Sequence, residues 1–141
     1  MGANIEIRDA FKTFGHGPRA IQALEKASLD IRPNEFVTFV GASGCGKSTL
    51  LRMIGGLESL SSGSIAVNGQ PITGPGVDRA MVFQHYSLYP WLTVLDNIRF
   101  CRQLKAHTRD RTSADVEKAS GRADALIRLM GLSHVAHAYP N

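Results

Sequence analysis

Eight consecutive residues, Gly41 to Ser48, restrict the fold of this 141-residue chain more than any other segment, because they fit the pattern G-x-x-x-x-G-K-S/T. The run before them, Phe36 to Val40, is short, apolar and rich in strand-forming residues, which predicts a strand buried on both faces. The run after them, Lys47 to Ile54, has helical spacing and is followed by two glycines. Its predicted apolar face consists of Leu50, Leu51 and Ile54. A strand, a glycine-rich loop and a helix in this order predict an α/β fold with a phosphate-binding loop (P-loop).

The residue types in this loop suit the phosphates of a nucleotide. Glycines allow consecutive backbone N–H groups to curl round an anion, and the positive end of the following helix points at the same anion. We expect Lys47 to reach the β- and γ-phosphates, Ser48 to offer its hydroxyl to Mg²⁺, and Thr49 to donate to the α-phosphate. The residues predicted to bind MgATP are Gly41, Ala42, Ser43, Gly44, Cys45, Gly46, Lys47, Ser48 and Thr49.

Strand patterns flank this core on both sides. Asn4 to Ile31 contains apolar stretches on either side of a Gly/Pro turn, which predicts an antiparallel pair. Gly63 to Val67 is followed by Asn68-Gly69, a dipeptide that supplies the two positive φ angles of a type I′ hairpin turn. A second apolar run, Ala80 to Phe83, predicts another buried strand, which ends at Gln84.

The chain changes to helical spacing beyond Pro90. One helix is predicted from Thr93, paired with Asp96 as a cap, to about Lys105. A longer helix is predicted from Thr112, with Gly131 as its stop. Its expected apolar stripe consists of Val116, Ala119, Ala123, Leu126, Ile127 and Met130.

Composition excludes several classes of function. The net charge is +4, but the basic residues are scattered and lack interleaved aromatic residues, so no nucleic-acid partner is expected. Cys45 and Cys101 lie far apart, which indicates neither a zinc site nor a disulfide framework and favours a reducing cytoplasm. No apolar run approaches membrane-spanning length, and the first residues do not resemble a signal peptide. Any link to a membrane is therefore expected to run through a partner.

Three motifs together, SGCGKSTLLRMIGGL (Ser43 to Leu57), SGSIAVNG (Ser62 to Gly69) and VFQ (Val82 to Gln84), resemble the ATP-binding subunits of ABC transporters. The resemblance covers nearly the whole chain. GPGVDRAMVFQ (Gly74 to Gln84) followed by LYPWLTVLDNI (Leu88 to Ile98) is similar to the branch that imports nitrate, sulfonates and taurine. The resemblance implies a P-loop NTPase core of the ABC ATPase type. Residues 1–87 would be the front of that domain, with an antiparallel β subdomain, and residues 88–141 would begin its helical subdomain.

The resemblance also implies roles for single residues. Gln84 corresponds to the Q-loop glutamine, which reaches toward Mg²⁺ and the attacking water and reports nucleotide state to the transmembrane partner. With Lys47 it forms the catalytic pair, and with Ser48 it forms the metal site. Phe14 corresponds to the aromatic residue that stacks on adenine, although Phe11 competes for that role and a core position is the alternative for Phe14.

The family's partners follow from the same resemblance. They are transmembrane permease subunits, a periplasmic or extracellular solute-binding protein that acts through the permease, and a second ATPase domain in a homodimer. The implied location is cytoplasmic, on the inner face of the plasma membrane. The implied reaction couples MgATP binding and hydrolysis to the transport of a small anion such as nitrate, a sulfonate or taurine.

Two segments imitate motifs of the second half of the family's site. Leu92 to Asp96 resembles the Walker B pattern, but Thr93 and Asp96 suit a helix cap, and Leu60 to Gly63 resembles the signature motif, but it precedes the predicted hairpin. We therefore expect an N-terminal fragment, ending before the signature motif, that does not hydrolyse ATP by itself. The alternatives are an ATP-binding remnant without catalysis and another P-loop NTPase. The latter is disfavoured because the chain lacks a guanine-reading N/TKxD loop and carries the hairpin and VFQ segments.

Aromatic residues concentrate after Gln84. Five of the ten aromatic residues of the chain lie within positions 83–100, namely Phe83, Tyr86, Tyr89, Trp91 and Phe100. Loops are usually polar, so an apolar patch in this turn-rich link predicts a surface that docks a partner. In the family this region receives a cytoplasmic helix of the permease. The alternative is a self-contained core cluster.

Overall fold

The computed structural model describes residues 2–84, 88–100 and 113–140. These residues form two compact units, of which the first ends at Met81 and the second begins at Val82. The predictions that concern Tyr86, Cys101 and Lys105 fall outside the described residues. The predicted division at residues 87 and 88 stays a prediction.

The first unit is built on a four-stranded antiparallel sheet in the order β2-β1-β3-β4. Its strands are β1 (Ile5–Phe14), β2 (Ile21–Ile31), β3 (Ser62–Val67) and β4 (Gln70–Pro71), and a short 3-10 helix, Gly17–Arg19, joins β1 to β2. The turn between β3 and β4 has positive φ at both Asn68 and Gly69, at 50° and 75°. The predicted antiparallel pair and the Asn-Gly hairpin are therefore confirmed.

A bulge in β1 decides which of its residues face the core. Ile7 lies opposite Leu29 of β2, but the next pair is Ala10 with Ala27, so β1 holds one extra residue between them. Side chains alternate along a strand, and an extra residue reverses the alternation beyond it. Ile7, Ala10 and Lys12 are consequently the buried residues of this strand.

The helix after the glycine loop, α1 (Lys47–Ile54), packs on this sheet. Leu50 and Met53 are buried among Ile7, Ala10 and Ile65, and each side chain of this size contributes about 1.5 to 3 kcal/mol when it is fully buried. The predicted place of Leu51 on the apolar face is wrong, since Leu51 is 46% exposed. Successive residues of a helix lie about 100° apart, so the face that holds positions 50, 53 and 54 turns position 51 away.

A Schellman turn ends α1. The N–H of Gly56 donates to Met53 O at 3.0 Å, the N–H of Leu57 donates to Arg52 O at 2.9 Å, and Gly56 has a φ of 72°. A Cβ at Gly56 would lie 2.1 Å from the carbonyl oxygen of Gly74. The two glycines therefore stop the helix as predicted, and the second admits a close approach of the backbone.

The two predicted buried strands are not strands in this structure. Phe36 to Val40 and Ala80 to Phe83 have no regular secondary structure, and neither pairs with a strand among the described residues. Phe36 is 92% exposed and Val82 is 97% exposed. Extended backbone becomes a buried strand only when neighbouring strands take up its N–H and C=O groups, and composition alone cannot show whether such neighbours are present.

The second unit contains α2 (Val94–Arg99), α3 (Ser113–Leu129) and a 3-10 turn, Ser133–Val135. Thr93 caps α2 as predicted, since its Oγ1 accepts the N–H of Asp96 at 3.1 Å. Gly131, with a φ of 69°, follows the last turn of α3 and confirms the predicted stop. Among the described residues no helix is both long enough and apolar enough to cross a lipid bilayer.

An ion pair between Arg99 Nη2 and Asp124 Oδ1, at 2.5 Å, joins α2 to α3. In the described part of the predicted stripe of α3, Ala123 and Ile127 are buried. Leu126 and Met130 are exposed at 47% and 69%, so their predicted burial is wrong. Leu126 lies at the edge of the buried face, about 60° round the helix axis from Ala123, whereas Met130 lies beyond Leu129, where α3 has ended.

Candidate nucleotide-binding site

The glycine loop takes a backbone conformation that its glycines permit. Gly44 and Gly46 have φ angles of 81° and 90°, which place both in the left-handed region. Gly46 is the N-cap of α1, and its carbonyl accepts the N–H of Leu50 at 2.8 Å. The loop therefore delivers its chain directly into the N-terminus of α1, where the free N–H groups and the helix dipole favour an anion.

Gly46 is also the point at which the loop rests on the sheet. A Cβ built there would lie 2.3 Å from the carbonyl oxygen of Ala23 and 3.2 Å from Leu24 Cδ1, both on β2. This contact fixes the loop against β2 and leaves room for no side chain at position 46.

Lys47 folds back into the loop. Its Nζ donates to Gly41 O at 2.9 Å and to Ala42 O at 2.6 Å, and it lies 3.4 Å from Cys45 Sγ. The ammonium group thus holds the loop closed on itself. Lys47 is only half-buried, so its ammonium group is accessible to an anion that enters the loop.

A cleft of about 350 Å³ opens beside the loop. Its lining residues come from β2, the extended run before the loop, the loop itself and α1, and are Leu24, Thr38, Phe39, Val40, Cys45, Gly46, Lys47 and Leu50. Ser48, the predicted Mg²⁺ ligand, is exposed at the first turn of α1. Most of the residues that line the cleft are apolar, and Lys47 is the charged residue among them.

Phe14 lies at the end of β1 and is 40% exposed. It pairs with Ile21 of β2, two residues before Ala23, where the loop touches the sheet. Phe11 is partly buried and pairs with Ser62 on the other side of β1. Of the two aromatic residues, Phe14 is the one at the loop end of the β1–β2 pair, which favours it for the adenine contact.

Residues 24–141 match the sequence profile of the family described as ABC transporter. The chain belongs to this family. The nitrate import ATP-binding protein NrtD of Synechocystis is 42% identical over 137 residues, which cover 97% of this chain and 49% of NrtD. The aliphatic sulfonates import ATP-binding protein SsuB of Bacillus subtilis is 39% identical over 140 residues, which cover 99% of this chain and 50% of SsuB. The chain thus spans about half the length of the curated relatives it matches.

The fold agrees with that of solved ABC cassettes. The ATP-binding cassette MJ0796, in a dimer bound to ADP and Pi, superposes with a TM-score of 0.78 at 29% identity, covering 97% of this chain and 62% of the cassette. The predicted fold class and the resemblance to importers of the nitrate and sulfonate type are therefore confirmed.

Other predicted site residues of this ABC transporter chain are less constrained. Gln84 is exposed at the start of the second unit, so its contact with Mg²⁺ stays a prediction. Among the described residues, no three His, Cys, Asp or Glu side chains come together to hold a metal ion. A Mg²⁺ ion bound here is predicted to take protein ligands from Ser48 and Gln84 and the rest of its shell from phosphate and water, as this ion usually keeps several waters.

Sequence reasoning missed Lys12. This side chain is 7% exposed, and its Nζ lies 2.6 Å from Glu58 Oε1 and 2.7 Å from Ser59 O. The hydrogen bond from Lys12 lowers the pKa of the Glu58 carboxyl below its ordinary value. No local pattern marks such a pair, because its partners are distant in the sequence. The only signal was the break in the alternation of β1 between Ile7 and Phe11.

Proposed function

We propose that this chain binds MgATP and belongs to the ATP-binding subunit of an ABC importer. Binding and hydrolysis of MgATP by that subunit would drive the uptake of a small anion such as nitrate, a sulfonate or taurine. The observation that carries the proposal is the glycine loop, which presents Lys47 and the N-terminus of α1 beside an open cleft.

Binding of ATP requires Lys47 to change partners. Its ammonium group now donates to the carbonyls of Gly41 and Ala42. A β- or γ-phosphate at the loop offers anionic oxygens in their place, so the ammonium group exchanges neutral acceptors for oppositely charged ones. Entry of the nucleotide therefore releases the loop carbonyls and turns Lys47 toward the phosphates.

The other predicted site residues each bind a different part of the nucleotide. Backbone N–H groups of the glycines and of the first turn of α1 bind phosphate oxygens, and Thr49 donates to the α-phosphate. Ser48 and Gln84 would hold Mg²⁺, and the ion would offset the negative charge of the phosphates. Phe14 stacks on the adenine, and Gln84 positions the water that attacks the γ-phosphate.

Titration calorimetry tests this proposal. With Mg²⁺ present, ATP is expected to bind at one site per chain and more tightly than AMP, because AMP offers the loop a single phosphate. ATP without measurable binding, or AMP bound as tightly as ATP, would remove the nucleotide role from the glycine loop.

A second proposal concerns the permease. In the second unit, Tyr89 packs between Trp91 and Phe100, with ring centroids 5.2 Å and 4.5 Å away. Trp91 is nevertheless 68% exposed and Leu88 is 53% exposed. Phe83, predicted to end a buried strand, is 45% exposed instead. A half-open aromatic cluster suits the anchor of an interface, and we propose that it docks a cytoplasmic helix of the permease.

The subunit would then sit on the inner face of the plasma membrane as a homodimer, and a solute-binding protein would act through the permease.

In a full-length subunit, Trp91→Ala is expected to release the protein from membranes that contain its permease, at a cost of about 2 kcal/mol or more in docking free energy. ATP affinity should not change, since Trp91 is neither in the glycine loop nor among the residues that line the cleft beside it. Leu129→Ala is the matched control, because it truncates an 80% exposed apolar residue elsewhere in the second unit. Membrane binding that survives Trp91→Ala, or that Leu129→Ala reduces equally, would contradict the docking role.

A further inference from the structure

The ammonium group of Lys12 lies over the aromatic ring of Phe14. Nζ is 4.9 Å from the ring centroid, which is within the distance at which a cation is attracted to the face of an aromatic ring. The two residues are two apart on β1, so both project from the same face of the strand. The bulge between Ile7 and Ala10 places them on that face.

Three acceptors hold the ammonium group in this position. Lys12 Nζ lies 2.6 Å from Glu58 Oε1, 2.7 Å from Ser59 O and 3.4 Å from Ser59 Oγ. An ammonium group has three donors, so these contacts match its full capacity. Because Lys12 is 7% exposed, its charge requires such partners, and the side chain has little freedom to move.

Glu58 and Ser59 follow closely on the last turn of α1, the helix that begins at the glycine loop. The chain passes from α1 through the glycine turn at Gly56 to Glu58, and from there the ion pair returns to β1. Lys12, which contacts the ring of Phe14, is therefore held by residues that follow the C-terminus of α1, the helix whose N-terminus is proposed to bind the phosphates.

We propose that Lys12 is a positioning residue for the adenine of bound ATP, which holds the ring of Phe14 in place from its own fixed site on Glu58 and Ser59. The inference rests on the proposed function, since it requires Phe14 to stack on the base. The cation covers part of the ring, while Phe14 keeps 40% of its surface open, and that open part is where adenine stacks. Without Lys12, the exposed ring of Phe14 at the end of β1 would populate several rotamers. Fixing one rotamer on binding would cost conformational entropy and so weaken binding of the base.

A purely structural ion pair would affect the stability of the chain and nothing else. A positioning role instead affects the part of the affinity that comes from the base. Tripolyphosphate carries the phosphates of ATP without adenine, so the ratio of the affinities for ATP and for tripolyphosphate, both with Mg²⁺, isolates that part. Calorimetry on the 141-residue chain measures both affinities.

Lys12→Met removes the charge and keeps most of the apolar stem. We expect it to lower the ratio about three- to tenfold, the effect of losing a cation–π contact, while the affinity for tripolyphosphate does not change. In a Phe14→Ala background, Lys12→Met should have no further effect on the ratio, because the ring through which it acts is gone. The control is Arg8→Met, on the same strand as Lys12, which breaks the exposed ion pair of Arg8 with Asp30 of β2 and should leave the ratio unchanged.

Three results would overturn the inference. One is an unchanged ratio in Lys12→Met, and another is an equal loss of ATP and tripolyphosphate affinity. The third is an undiminished effect of Lys12→Met in the Phe14→Ala background. If Lys12→Met does not fold, Glu58→Gln replaces it, since it keeps the ammonium group but weakens its strongest partner, and there too an unchanged ratio would overturn the inference. Wild-type protein that binds ATP no better than tripolyphosphate would instead refute the adenine role of Phe14 and, with it, the inference. Wild-type protein that binds neither would refute the proposed function itself.

Discussion

Lys47→Ala is expected to weaken MgATP binding by about tenfold to a hundredfold, because it removes a charge-assisted contact to the phosphates worth about 1.5 to 3 kcal/mol. The same change should barely affect folding. The two carbonyls that Lys47 now holds belong to Gly41 and Ala42, both of which are exposed, so water can satisfy them when the ammonium group is gone. Calorimetric titration with ATP and a thermal melt of the same samples separate the two effects.

The control for Lys47→Ala is Lys118→Ala on α3. It removes the same charge from an exposed helical position in the second unit, so it reports the general electrostatic effect of one lysine on a polyanionic ligand. Wild-type affinity in Lys47→Ala would take the lysine out of the site. Equal losses in both variants would reduce its role to net charge.

Local patterns predicted the parts of the fold that depend on neighbours in the sequence. The Asn68-Gly69 turn and the Thr93 cap are each set by a few consecutive residues, and each has the predicted geometry, while Gly44 and Gly46 of the loop take the positive φ angles that glycine permits. The stop of α1 is local for the same reason, since the Schellman turn needs only a residue that tolerates a positive φ.

Burial could not be predicted in this way, because it depends on what packs from elsewhere in the chain. Phe36 to Val40 has the composition of a buried strand, yet Phe36 and Val40 are exposed at 92% and 91%. Within the described residues nothing pairs with that run, although Phe39 packs against the core. The sheet that does form takes its strands from segments with weaker apolar patterns, because those segments find antiparallel partners.

The candidate site likewise has one part that a local sequence motif predicts and one part that depends on contacts between distant segments. Its phosphate half is contiguous and was predicted from a motif. Its proposed adenine half depends on a bulge in β1, which moves Phe11 off the core face and turns the face shared by Lys12 and Phe14 toward the core side. An apolar alternation read without the bulge places Phe11 on the same face as Ile7. The ion pair of Lys12 with Glu58 joins β1 to the segment after α1, and no local sequence pattern relates these two segments.

Gly46→Ala is expected to be the most damaging single change in the loop, at about 2 to 5 kcal/mol in the free energy of unfolding. Two costs add at this position. A residue with a Cβ at a φ of 90° is strained by about 1 to 2 kcal/mol. The Cβ would also lie 2.3 Å from the carbonyl oxygen of Ala23, and relieving such overpacking costs about 1 to 3 kcal/mol more.

Gly44→Ala separates these two costs. Gly44 has nearly the same backbone conformation, with a φ of 81°, but a Cβ there meets no atom within 4 Å. It should therefore show the strain alone, about 1 to 2 kcal/mol. Urea unfolding followed by circular dichroism measures both variants, and the difference between them reports the contact of the loop with β2. Because the obstacle is backbone rather than a flexible side chain, relief in Gly46→Ala requires the loop to lift from β2, and ATP affinity should fall with stability. If the two variants lose equal stability, the loop does not rest on Ala23, and the placement of the phosphate site beside Phe14 loses its support.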